Sequence, residues 1–280
     1  MEKMTSKDLI LFLGQSNMVG QSERLAENEP VPGALEYRFL TDELIPLRDP
    51  AGEDLGHGMR AVYHFAEKPS FQQWVEDTVL QGAVEGHTSL IPSFARGYIE
   101  ATGREIVAVP AAKGSTTAAD WQPGTEGCAA IIKKASAAKK KTGRVDHVYA
   151  VWLQGESDML NRTEPEIYTE QVIRVKNILK TELGLSRFGV IRVGRFSSLA
   201  PWNDIPTEER LRADLAIITA QDALCERDED FLMLTRAADA LVVGDPRYAN
   251  PNATGHFSAL GLQVLGREAG LRFGAAVRRR

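Results

Sequence analysis

Residues 9–20 read LILFLGQSNMVG, five apolar residues running straight into Gly14-Gln15-Ser16-Asn17-Met18-Val19-Gly20. An apolar run of strand length without polar alternation suits a strand covered on both faces, as in a parallel sheet. The signature recurs at Ile106–Pro110 (IVAVP), Val148–Leu153 (VYAVWL) and Gly189–Val193 (GVIRV), with shorter candidates at Phe231–Leu234 and Ala240–Val243. Between them the period becomes helical: Tyr168, Val172, Val175, Leu179 and Leu183 share one face, and Thr163 with Glu166 reads as a capping box at the start of that helix. Further helices are expected over Pro92–Thr102, stopped by Gly103, and over Gly127–Lys140, Glu208–Glu226 and Ser258–Arg272. Strands alternating with helices predict a three-layer α/β/α architecture around a central parallel sheet, with right-handed crossovers.

The composition narrows the class further. With 43% apolar and 25% charged residues, the chain is neither disordered nor, with only Cys128 and Cys225, stapled by disulfides. A net charge of −5 with both signs mixed argues against a nucleic-acid partner. The N-terminal apolar run is too short for a signal peptide or a membrane span, so a cytoplasmic protein with no membrane partner is expected. From about residue 21 to 90 the chain is rich in Pro, Gly and acidic residues and lacks periodicity, which reads as an irregular insertion in a single domain spanning 1–280.

Four segments carry chemistry. In open α/β sheets ligands bind beyond the carboxyl ends of the strands, where the first motif lies. A serine between turn-forming glycines presents a hydroxyl and its own N–H to the same space, so Ser16 is a candidate nucleophile and oxyanion donor; the plain alternative is a turn. Trp152-Leu153-Gln154-Gly155-Glu156-Ser157-Asp158 follows the third apolar run, and two carboxylates with an amide directly after a buried strand suggest function, although Ser157 or Asp158 also suits a helix N-cap. Among the five histidines, His57, His64 and His87 fall in the irregular stretch and His147 precedes a strand. His256, in Gly255-His256-Phe257-Ser258, stands beside a candidate N-cap and suits a general base. Gly114, in Ala111-Ala112-Lys113-Gly114-Ser115-Thr116, allows a backbone N–H to approach a ligand closely. No HExxH motif or clustered His/Cys spacing occurs, so neither metal nor other cofactor is expected.

Taken in order, GQSNMVG, the post-strand Gly114, WLQGESD and GHFS resemble the SGNH hydrolase superfamily, and within it carbohydrate esterase family six and the sialate O-acetylesterase-like domains. The resemblance spans nearly the whole chain. It implies a flavodoxin-like α/β/α fold and the metal-free removal of acetyl or similar short acyl groups from sugars. By motif, Ser16 becomes the nucleophile and His256 the base, with oxyanion donors at the Ser16 and Gly114 N–H groups and the Gln154 amide. Gln15, Asn17 and Trp121 become substrate-binding residues, Trp121 having packing as its alternative role. The expected partner is a small acetylated saccharide.

One departure matters. The superfamily usually places an Asp three residues before the catalytic His, and here that position is Ala253. Changing this acid costs serine hydrolases up to about 10⁴ in rate. Glu156 is the expected substitute, with Asp245, Asn252 or an unsupported Ser–His dyad as alternatives. Two rival functions remain open: a glycan-binding protein that lost turnover, and an esterase or thioesterase of other small acyl substrates. The mild negative charge suits a neutral acylated sugar.

Overall fold

In the computed structural model, which describes residues 7–20, 22–23, 28–52, 88–200, 204–251 and 253–278, strand β1 (Lys7–Gly14) lies inside one seven-stranded sheet. Its two neighbours, β4 (Glu105–Ala112) and β5 (His147–Leu153), run parallel to it, and Leu9 to Leu13 are almost wholly buried. Outward from β5 come β6 (Leu185–Ile191) and β7 (Phe231–Thr235), both parallel. Outward from β4 come β2 (Ala34–Arg38), parallel, and the antiparallel edge strand β3 (Glu43–Pro46). Without the β2–β3 hairpin, the order β4-β1-β5-β6-β7 is the flavodoxin-like one, whose switch point falls where the chain departs from β1 in opposite directions. The expected α/β/α fold is therefore met.

Pro110 inside a central strand would ordinarily break the ladder. Pairing of β4 with β2 ends at Ala108, so Pro110 stands past the covered part of that edge.

Helices α2 (Ile91–Thr102) and α8 (Ala259–Arg278) pack together on one face of the sheet. Their contact is close because Gly266, Gly270 and Gly274 recur on one side of α8: a Cβ at Gly270 would sit 2.1 Å from the Phe94 carbonyl oxygen. On this side Phe94 meets Phe12 edge-on, and Phe273 meets Tyr149. The other face carries α3 (Glu126–Thr142), α5 (Pro165–Leu183) and α6 (Thr207–Arg227). There Trp152 packs against Trp121 and Phe188, all fully buried. Burying each such side chain stabilises the fold by about 1.5–3 kcal/mol. The short helices α1 (Ser16–Val19), α4 (Glu156–Asn161) and α7 (Ala238–Gly244) follow β1, β5 and β7.

Several expectations need correction. Ala240–Val243 lies in helix α7, not in a strand. The GVIRV strand begins earlier, at Leu185, because the polar Ser186 and Arg187 occupy its half-buried start. The Thr163–Glu166 capping box does not form: Glu164 is the N-cap, Pro165 takes the first helical position, and the Thr163 N–H donates to the Asp158 carbonyl. Within the stretch expected to be irregular, residues 34–46 form the β2–β3 hairpin. His57, His64, His87 and Asn252 lie outside the described residues.

His147 is accounted for at the opposite end of the sheet from the strand-end motifs. Buried Asp8 accepts from both Arg104 nitrogens at 2.6 Å, from the Tyr98 hydroxyl at 2.6 Å, and stands 2.8 Å from His147 Nδ1. Burial alone would raise the Asp8 pKa, yet these partners hold it below the usual carboxylate range.

Candidate active site

The turn that carries Ser16 depends on one glycine. Gly14 has φ +145°, and a Cβ there would lie 1.9 Å from the Leu153 carbonyl oxygen. Only a residue without a side chain lets the ends of β1 and β5 close to where Gln15 N–H donates to Leu153 O, at 3.2 Å. Ser16 then opens α1, which leaves its N–H without an intrahelical acceptor.

His256 arrives from the far end of the chain. Its Nε2 stands 2.8 Å from Ser16 Oγ, and its Nδ1 stands 3.1 Å from the Thr254 carbonyl oxygen. A carbonyl only accepts, so Nδ1 carries the proton and Nε2 presents a lone pair to the serine hydroxyl. This is the tautomer a general base requires. The loop is held by His256 N–H on the Ala253 carbonyl, by the Phe196 ring edge-on to the imidazole at 5.6 Å, and by Ser258, whose Oγ accepts from Gly261 N–H and donates to Arg247 O. Burial pushes the His256 pKa below its ordinary 6.5.

The carboxyl candidates lie elsewhere. Glu156 is 2% exposed, and its Oε1 accepts from Asn17 Nδ2 at 2.8 Å rather than from the imidazole. Asp245 is engaged by Arg247, whose hydrogen bonds hold its pKa down. The ring orientation expected of a carboxylate comes instead from the Thr254 carbonyl, a group that sequence inspection does not single out because every residue has one.

The mid-chain motif is spent on holding loops. The Gln154 amide nitrogen donates to Asp158 Oδ2 at 2.6 Å and to the Thr116 carbonyl at 2.9 Å, and Gln154 is fully buried. Its amide nitrogen is thus engaged within the protein, with Gln15 Oε1 as a third acceptor at 3.4 Å. Asp158 also accepts from Ala118 N–H, so the motif anchors the loop that carries Gly114. That loop starts beside the Ser16 turn, through Lys113 N–H on the Gly14 carbonyl, and passes Ser115 at φ +61°. The Gln154 carbonyl is gripped from behind by Tyr168 and Gln221, neither of which the motifs had marked.

The three residues expected to bind substrate are all buried, each with partners inside the protein. Trp121 is wholly buried and donates from Nε1 to Thr116 Oγ1, so it packs under the Gly114 loop. Gln15, 2% exposed, accepts from Ser157 N–H and Gln154 and ties α1 to α4. Asn17, 3% exposed, bridges Glu156 and the Gly255 carbonyl. Among the described residues no group of His, Cys, Asp and Glu could hold a metal ion, and no helix is long and apolar enough to cross a membrane.

The family model described as carbohydrate esterase, sialic acid-specific acetylesterase, matches residues 6–244. The chain belongs to this carbohydrate esterase family. The matched span holds Ser16, Gly114 and Glu156 and stops short of His256, which the fold returns to the serine. A probable carbohydrate esterase of Arabidopsis thaliana is 28% identical over 128 residues, 46% of this chain and 48% of that protein, so the match spans about half of the curated relative's length. Its crystal structure superposes with a TM-score of 0.64 at 15% identity, covering 95% of this chain and 96% of that one. The crystal structure of NanS superposes with a TM-score of 0.67 at 17% identity, covering 99% of each chain. At such identities the likeness concerns the fold alone.

Proposed function

We propose that this chain is a serine esterase that removes acetyl groups from a small saccharide in two steps, through an acyl-enzyme on Ser16. The observation that carries the reading is the 2.8 Å contact of Ser16 Oγ with an imidazole whose other nitrogen is pinned on a backbone carbonyl. Ser16 Oγ attacks the ester carbonyl while its proton moves to His256 Nε2. The negative oxygen that develops is stabilised by the N–H groups of Ser16 and Gly114, which sit at the ends of neighbouring strands β1 and β4. Donors of this kind contribute about 10²–10³ each in rate.

As the carbonyl re-forms, the bond to the sugar oxygen breaks and His256 returns the proton to that oxygen. Water then adds to the acetyl-Ser16 carbonyl, giving its proton to His256, and acetate leaves as Ser16 recovers the proton. No carboxylate balances the imidazolium in this scheme. The Thr254 carbonyl dipole takes that place, which supports a dyad rather than a full triad.

Residues 1–280 act here as one catalytic domain, because the two reacting side chains come from opposite ends of the chain. Among the described residues no carboxylate contacts His256, which favours one rival, a glycan-binding protein without turnover. Acetate release from acetylated xylan fragments, acetylated sialic acids and simple acetylated sugars, combined with labelling by a serine-directed fluorophosphonate, separates the two. Release from at least one substrate with labelling of Ser16 supports the esterase; neither release nor labelling supports the binding protein.

A further inference from the structure

Glu156 is a buried carboxyl that the two-step reaction leaves unused. It opens α4 and shares with the Gly255 carbonyl a single donor, Asn17 Nδ2, at 2.8 and 3.2 Å respectively. An amide nitrogen has two protons, so both bonds form at once. Asn17 directly follows the nucleophile and Gly255 directly precedes the base, so the bridge joins the two reacting residues from behind. We propose that Glu156 and Asn17 are positioning residues that set the spacing of Ser16 and His256, with Glu156 serving as a neutral acceptor and not as a triad acid. This inference rests on the serine-esterase reading above.

Three observations support it. The imidazole nitrogen that a triad acid would hold is already on Thr254 O. Glu156 Oε2 is buried and has no partner among the described residues, an arrangement that tolerates a proton far better than a charge. The ionisable groups around it among the described residues, Asp158 from its own helix and Tyr168 from α5, bring no positive charge, and burial pushes its pKa up, with Asp158 adding to the rise, against the opposing pull of Asn17 and of the Glu156 and Gly155 backbone N–H groups. On the far side, a Cβ at Gly255 would lie 2.4 Å from the Phe196 ring, so the loop that accepts from Asn17 is pressed against a fixed wall. Misplacement of a reacting group by about 1 Å costs about 10² in rate.

The test is steady-state hydrolysis of p-nitrophenyl acetate, with pH profiles, by Glu156→Ala, Glu156→Gln, Asn17→Ala and, as a control, Ser16→Ala. Expected is a loss of about 30–100-fold in kcat for Glu156→Ala and Asn17→Ala, with KM changed by less than about threefold. Glu156→Gln, which keeps a neutral acceptor, returns kcat to within about fivefold of the parent and leaves the acid limb of the profile where it was. The inference is overturned if Glu156→Gln is as impaired as Glu156→Ala, or if its acid limb moves, since either marks a charged carboxylate acting on the imidazole. Should the alanine variants fail to fold, the glutamine variant alone decides: a kcat more than about fivefold below the parent, or a moved acid limb, overturns the inference. Full turnover by Ser16→Ala would instead bring down the esterase reading itself, and this inference with it.

Discussion

Ser16 Oγ and His256 Nε2, 240 residues apart in sequence, meet at 2.8 Å because Gly14 lets β1 turn sharply and because the loop before α8 returns to the end of β1, where Asn17 holds the Gly255 carbonyl. The pair is set up as hydroxyl donor and imidazole acceptor by an uncharged group, the Thr254 carbonyl. Among the described residues no carboxylate shares that role, and the difference is measurable.

A base must be neutral to accept the serine proton, so kcat/KM rises with pH through the pKa of His256. Burial lowers that pKa, outweighing the raising pull of the Thr254 and Ala253 backbone groups, and no carboxylate among the described residues adds to that pull. The acid limb is expected at a midpoint below pH 6.5. A midpoint above 6.5 in the free enzyme would reveal a negative charge on the ring.

Trp121 separates packing from binding. Its indole is wholly buried against Trp152 beneath the Gly114 loop. Trp121→Ala is expected to cost about 3–5 kcal/mol of stability by denaturant unfolding, and Trp121→Phe less, while the latter leaves KM within about twofold. A large KM increase in a stable Trp121→Phe variant would restore the binding role.

Gly255 is expected to tolerate no side chain. It lies at φ +76°, and its missing Cβ faces the Phe196 ring. Gly255→Ala should lower stability by about 1–3 kcal/mol and reduce kcat more than it raises KM, because His256 follows directly. An unchanged kcat would mean that the loop repacks freely.

Asp49 governs a pH dependence unrelated to catalysis. Buried beside Ser89, whose N–H and Oγ it accepts from, its carboxyl is pushed up to about 6 by burial. A carboxyl raised in the folded state holds its proton more tightly there than in the unfolded chain. Its contribution is therefore greatest below about pH 4 and declines by about 3 kcal/mol as pH rises to about 6. Asp49→Asn should remove that decline from urea unfolding curves compared between pH 4 and 7. An identical slope in parent and variant would contradict the assignment.

Much of the scaffold was legible because buried parallel strands leave uninterrupted apolar runs, as at Leu9–Leu13 and Val148–Leu153, and because helices such as Pro165–Leu183 keep their period. The β2–β3 hairpin was not, since its strand ALEYR is short and carries Glu36 and Arg38, which meet as an ion pair. The Ala240–Val243 run misled because four apolar residues fit a helix turn as well as a strand. Ser16, Gly114 and His256 could be picked from sequence as residues at strand ends and before a helix. The partners of Gln154, Glu156 and Trp121 could not, because a buried amide or carboxyl takes whichever group the fold brings to it.

The most direct measurement of the central claim is acetate release from an acetylated sugar by the parent protein and by Ser16→Ala at equal concentration, with folding verified by circular dichroism. Ser16 as nucleophile predicts release by the parent and a fall of at least about 10³-fold in the variant. Comparable release by both proteins would contradict it.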